Sequence, residues 1–280
     1  MSASVVLMVL FAALLHAGWN TAVKSGHDKS LNAVLVSAGA GAIAAVGLCF
    51  VEAPSPASWP YLACSVCAQV IYYRLVAAAY RHGDLSQAYP LMRGTAPLLV
   101  ALASAPLLGE SLSLTGWGGV LLICSGVLGL AVDAWLRDGV SARATGLALL
   151  NACVIASYTL IDGVGVRLSQ APVGYTLWIF FLTAIPLLGW TLFRRPRELL
   201  RYARSRLALP LVGGSGTLGS YGIALYAMTL APVASVAALR ETSILFATLL
   251  SVLLLGERIG PRRGVATAFI AAGAMVIRLA

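Results

Sequence analysis

Charge is what this chain has least of. Only 10% of its 280 residues are Asp, Glu, Lys or Arg, where a soluble domain carries about 25%. Hydrophobic residues make up 60% and the mean hydropathy is +0.89. Water is thereby excluded as the main solvent: one soluble core would bury only part of so much apolar surface. Apolar runs of about twenty residues match a hydrocarbon layer of about 30 Å.

Cysteine and histidine are also sparse, at five and three. Cys49, Cys64, Cys67, Cys124 and Cys153 all fall inside apolar runs, where a thiol behaves as a small hydrophobic side chain. No structural disulfide is expected. Cys64 and Cys67 have redox-motif spacing but no second pair and no adjacent His. There is no metal-ligand cluster, nucleotide-binding glycine loop or carboxylate pair at hydrolase spacing, so no cofactor is expected. The N-terminus lacks a basic region and a small-residue cleavage site, so the first apolar run is expected to remain as a helix.

The formal charge is +9, with the bases in short connectors such as Arg194, Arg195, Arg197, Arg201, Arg204 and Arg206. No solvated stretch is long enough to interleave them with exposed aromatics, which excludes a nucleic-acid partner. They read as topology signals.

Apolar runs fall at 4–22, 30–51, 59–80, 85–108, 112–134, 143–161, 172–193, 207–230, 232–255 and 262–278, predicting an all-α polytopic membrane protein of ten transmembrane helices. Only Ala231 and Pro232 separate the eighth run from the ninth, where a tight turn is required. Lys24, Lys29, Arg81, Arg137, Arg143, the Arg194–Arg206 cluster, Arg258, Arg262 and Arg263 fall on one side of the bilayer. The other side has little beyond Arg167 and Arg278. By the positive-inside rule the first side is cytoplasmic and both termini lie outside.

Repetition is the most informative feature. Tyr89–Glu110 recurs 147 residues later as Val236–Glu257. Arg93 maps onto Arg240, Leu107-Leu108-Gly109-Glu110 onto Leu254-Leu255-Gly256-Glu257, and Gly126 onto Gly273. The halves, 1–138 and 139–280, therefore have five spans each. An odd number of spans inverts the second copy relative to the first, a transporter signature.

These residues resemble the EamA-type transporters of the drug/metabolite transporter superfamily. The carriers are the Leu-Gly-Glu ends of the fourth and ninth spans, the glycine-rich helices after them, and Leu14-Leu15-His16-Ala17-Gly18-Trp19-Asn20 before Lys24. The His-Ala-x-Trp-Asn opening departs from the commoner Trp-Gly-x-Asn start and is similar to a subgroup associated with phosphonate utilisation. The resemblance implies ten helices in two inverted five-helix repeats and a secondary carrier, commonly an exporter of amino acids or related metabolites. It also implies cytoplasmic termini, against the charge count, and the orientation stays open.

An ionised side chain at a helix centre costs roughly 2.5–3.5 kcal/mol on insertion scales, so each needs a partner or a wet cavity. Arg93 and Arg240, equivalent in the repeats, are candidates to hold an anionic substrate group through the planar guanidinium; snorkelling or an internal ion pair is the alternative. Glu241 is the candidate for proton coupling, or else the neutraliser of an arginine on a neighbouring helix. His16, Trp19 and Asn20 share one face of the first span, and Ser157, Tyr158 and Thr159 hold a comparable place in the second half. Gln69, Tyr72 and Tyr73 share a face of the third span, beside Arg74, which is expected to snorkel toward Arg81. Tyr89 opens the fourth span as a ligand contact or an interfacial anchor.

Gly213, Gly214, Gly216, Gly219 and Gly222 leave a packing groove in the eighth span. Gly213-Gly214-Ser215-Gly216 matches the Gly-x-Ser-Gly of rhomboid-type intramembrane proteases, where a later His activates the serine. His16, His27 and His82 all precede it here, so the order is wrong for that enzyme class. The expected function is secondary active transport, as exporter or exchanger, of a small zwitterionic or anionic metabolite such as an amino acid or phosphonate, with lipophilic-cation efflux second. The expected setting is the bacterial inner membrane. Expected partners are the substrate and the bilayer, with a homodimer left open.

Overall fold

The computed structural model describes residues 1–23, 28–82, 85–138, 141–255 and 260–280, and among them every regular element is helical. Lys24, His27, Gly256, Glu257 and Arg258 lie outside the described residues, as do the side chains of Lys29 and Arg137. The helices are α1 (Ala3–Val23), α2 (Lys29–Gly47), α3 (Trp59–His82), α4 (Leu85–Leu108), α5 (Leu114–Asp138), α6 (Ala142–Ser169), α7 (Pro172–Arg194), α8 (Pro196–Ser205), α9 (Ala208–Met228), α10 (Val233–Arg240), α11 (Ser243–Leu255) and α12 (Pro261–Leu279).

Local chemistry sets many of these ends. Asp28 caps α2, accepting from the amides of Ser30 and Leu31 at 2.9 and 3.0 Å, and Ser141 caps α6. Proline opens α7, α8 and α12 at positions whose amides have no helical partner. Eight spans are long and apolar enough to cross a membrane, α10 and α11 together making one of them. The two further long helices fall short in composition: α9 is diluted by Gly, Ser and Tyr, and α12 carries Arg262, Arg263 and Arg278. Leu7, Phe11, Ile71, Leu102, Leu107 and Leu253 are exposed around the outside, an apolar belt suited to lipid.

Helices pack in reciprocal pairs. α3 lies on α6 as α1 lies on α9, and α4 lies on α6 as α11 lies on α1; α2 packs on α7 and α5 on α12. The α5–α12 crossing shows the reciprocity at atomic scale. A Cβ on Gly273 would stand 2.7 Å from the Gly119 carbonyl oxygen, and one on Gly126 would stand 2.8 Å from the Ala266 carbonyl oxygen. Shifting residue numbers by 147 converts one of these contacts into the other. Ascending numbers on α5 meet descending numbers on α12, so the helices run antiparallel. The α2–α7 pair does the same, Gly41 facing Ala184 and Gly47 facing Leu177.

Three elements depart from the sequence expectation. The sixth span does not end near 161; α6 runs to Ser169 and stops where Gln170 adopts a left-handed conformation, φ 55°. The basic connector after the seventh span is itself a helix, α8. Leu199 on its inner side is buried against Leu31, Val34 and Leu35, and Tyr202 donates to Asn32 Oδ1 at 2.6 Å. The ninth span is two helices, broken at Glu241 and Thr242. There the amides of Glu241, Thr242 and Ile244 bond three residues back, to Ala238, Leu239 and Glu241, a tightened turn of the kind that marks hinges.

Candidate functional site

That break places the charges. Arg93 of α4 and Glu241 at the end of α10 form a close ion pair, Nε to Oε2 at 2.9 Å, with side chains only 12% and 5% exposed. Of the two readings for Glu241, the structure therefore displays the neutralising contact. Arg240, the repeat counterpart of Arg93, has no carboxylate partner among the described residues; its guanidinium lies 4.9 Å from the centre of the Tyr221 ring, on α9. A cation held against a π face in a desolvated setting gains about 2 kcal/mol, less than a matched carboxylate would give.

The tyrosines form a connected wall. Tyr72 meets Tyr73 at 5.2 Å and Tyr158 at 5.9 Å, and Tyr158 meets Tyr221 at 6.4 Å, all edge to face. The face containing His16, Trp19 and Asn20 lies near the same charges. His16 stacks edge-on to Trp19 at 5.4 Å and lies within electrostatic reach of Arg93 and Arg240. Asn20 lies beside Tyr89, itself close to Arg93 and Glu241. The Trp19 indole nitrogen is buried without a hydrogen-bond partner.

Gln69, by contrast, is buried against its own helix, donating to Ser65 at 3.3 Å. Of the α6 trio only Tyr158 joins the wall. Ser157 is exposed and bonds back to the Cys153 carbonyl, and Thr159 bonds back to Ile155. Arg74 leaves the bundle as a long amphipathic side chain does, its guanidinium 4.8 Å from the Trp190 ring centre with Arg194 at 4.9 Å from the same ring. The α9 glycines admit neighbours: Gly214 faces the α2 backbone at Gly39 and Ala40, and Gly216 faces Trp19. Ser215 is exposed and bonds back to Leu211.

Sequence reasoning passed over a second buried carboxylate. Asp162 on α6 is fully buried and accepts hydrogen bonds from Tyr175 of α7, at 3.1 Å, and from Tyr221. An acidic residue in a membrane span is itself a signal. It was hidden because the sixth span was expected to end one residue earlier.

A third cluster gives the first Leu-Gly-Glu, ending at Glu110, its role. Glu110 Oε2 accepts from the Val233 amide at 2.8 Å, capping α10, while Oε1 pairs with Arg167 at 2.6 Å. Arg167 also donates to the Met228 and Ala231 carbonyls at 2.8 and 3.1 Å, which pins the turn between α9 and α10 to the ends of α4 and α6. Charged hydrogen bonds contribute about 1.5–3 kcal/mol each, less where partly exposed. Arg167→Ala should therefore lower unfolding stability by about 2–3 kcal/mol. Thermal denaturation in detergent measures this, and an unchanged midpoint would show the clasp to be dispensable.

An all-α, multi-pass membrane protein with charges converging inside an apolar bundle is the class these features define. The chain belongs to the EamA-like transporter family, which matches residues 3–132 and 143–279. No curated protein matches it. A crystal structure superposes on it with a TM-score of 0.78, covering 100% of this chain and 99% of the other at 21% identity, which is a likeness of fold.

Proposed function

We propose that the protein is a secondary active transporter of the bacterial inner membrane. It moves a small zwitterionic or anionic metabolite, such as an amino acid or a phosphonate, by export or exchange. Its two inverted halves, residues 1–138 and 139–280, close alternately on the Arg93, Arg240 and Glu241 region. The observation that carries this reading is the asymmetry between equivalent arginines: Arg93 is neutralised by Glu241, whereas Arg240 rests on a tyrosine ring. A substrate carboxylate or phosphonate would supply the direct carboxylate-type contact that Arg240 does not make among the described residues, in a setting where bidentate pairing is strong. His16, Trp19, Asn20, Tyr73, Tyr89 and Tyr158 are proposed as the surrounding contacts. Gln69, bonded within its own helix, is proposed as support for that wall.

The tyrosine wall also suits a lipophilic cation, which makes efflux of such compounds the second reading. A thermal-shift screen of amino acids, aminophosphonates, organic acids and lipophilic cations separates the two, because a ligand of the folded state adds stability. The expected result is stabilisation by an anionic or zwitterionic compound. At 100 times Kd this amounts to about 2.7 kcal/mol, and it should be lost in Arg240→Ala. Stabilisation by cations alone would favour efflux.

A further inference from the structure

Building on the transport reading, we infer that Asp162 is the proton-binding site of the cycle, and that Tyr221 relays its protonation to Arg240. Glu241 is committed to Arg93. Asp162 has no ion-pair partner among the described residues and is fully buried in an apolar helix, where an unpaired carboxylate is costly and a bound proton removes the charge.

The hydrogen-bond directions make the site two-state. An ionised carboxylate only accepts, and here Oδ1 takes the Tyr175 hydroxyl while Oδ2 takes the Tyr221 hydroxyl. A proton from one aqueous phase turns one of those oxygens into a donor. That oxygen keeps a lone pair but accepts more weakly than an ionised carboxylate, so the hydroxyl bonded to it is held less tightly and is freed to draw back. The proton leaves to the other phase when the carboxylate is restored, so the cycle balances without a further reactant.

The groups facing this carboxylate come from four neighbouring elements and its own helix. Tyr175 stands on α7, Tyr221 on α9, Arg240 on α10 and the Ser65 hydroxyl on α3, with Tyr158 one turn back on α6. From α3, Cys64 faces Tyr175; α4 directs Arg93 to Glu241 instead. Tyr221 is the only one of these that touches both charges, donating to Asp162 from its hydroxyl and carrying Arg240 on its ring. The ring is boxed by Tyr158 and Phe180 at 6.4 and 6.0 Å, so a shift of its hydroxyl moves the surface on which Arg240 lies. Asp162 is also five residues, about 7.5 Å of helix, from the Arg167 clasp at the end of α6. A change at Asp162 is thus placed to reach both the substrate arginine and the turn that hinges α10.

The test needs no substrate. Infrared difference spectra of the purified full chain, taken between about pH 5 and 9, should show a protonated-carboxyl C=O band. That band should be lost in Asp162→Asn and kept in Glu241→Gln. Tyr175→Phe and Tyr221→Phe keep the carboxyl and should shift the band's frequency, which covers the case in which Asp162→Asn does not fold. At one fixed pH, Asp162→Asn should also raise modification of Arg240 by an arginine-specific dicarbonyl several-fold, read by mass spectrometry. A wild-type spectrum without the band, a band that survives Asp162→Asn, or a band unmoved by both Phe variants would overturn the proton site. Unchanged Arg240 modification would overturn the relay. A thermal-shift screen without any hit would count against the transport reading alone, since the band is measured without ligand.

Discussion

Glu241→Ala is expected to be among the most damaging single substitutions in the chain. It leaves Arg93, whose side chain is only 12% exposed in the intact pair, without its partner, and breaking a buried pair costs about 3–5 kcal/mol because the orphaned charge stays desolvated. Arg93→Ala should cost about as much for the same reason. The double substitution Arg93→Met with Glu241→Leu removes both charges and should recover stability to within about 1–2 kcal/mol of the parent. It should nonetheless leave the protein without counterflow of any compound that binds the parent. Thermal denaturation and liposome counterflow read the two effects separately. A single variant as stable as the parent would mean the pair contributes nothing to the fold, and a double variant that transports would remove it from the site.

Comparable loss is expected at the α5–α12 crossing. A side chain at Gly273 must displace the backbone of Gly119 and Ile123, and one at Gly119 must displace Gly273 and Ile277. Overpacking of side chains costs about 1–3 kcal/mol, and here the obstacle is backbone, which yields less. Gly273→Leu should therefore cost about 3 kcal/mol or more. Gly129→Leu, on the facing helix α5 and with nothing near its Cβ position, serves as the control and should stay near the parent. Equal melting midpoints for the two variants would show that the helices can part without penalty.

Both predictions depend on contacts between halves, and that is where sequence reading reached its limit. The 147-residue repeat brings Arg93 and Arg240 forward as equivalents, and equivalence suggested equal roles. The structure separates them, because α4 continues through Arg93 whereas the ninth span breaks immediately after Arg240, and that break aims Glu241 at Arg93. Nothing local announces the break: Glu241 and Thr242 are neither Gly nor Pro, while α4 carries Pro90, Pro97 and Pro106 and remains one helix. Asp162 was missed for a related reason. Its charge and the following glycine look like the end of an apolar run, but two tyrosine hydroxyls from other helices satisfy it and the helix goes on.

The sequence by itself determined that this is an all-helical membrane protein, where most of its spans lie and that its halves repeat. Hydropathy and spacing are properties of neighbours along the chain, and in lipid the backbone has few ways to satisfy its own hydrogen bonds. Only the tertiary structure decided which charges are paired, which tyrosines meet and where the ninth span breaks. Those depend on atoms such as Arg93 and Glu241, far apart in sequence, whose approach is set by how one half packs on the other.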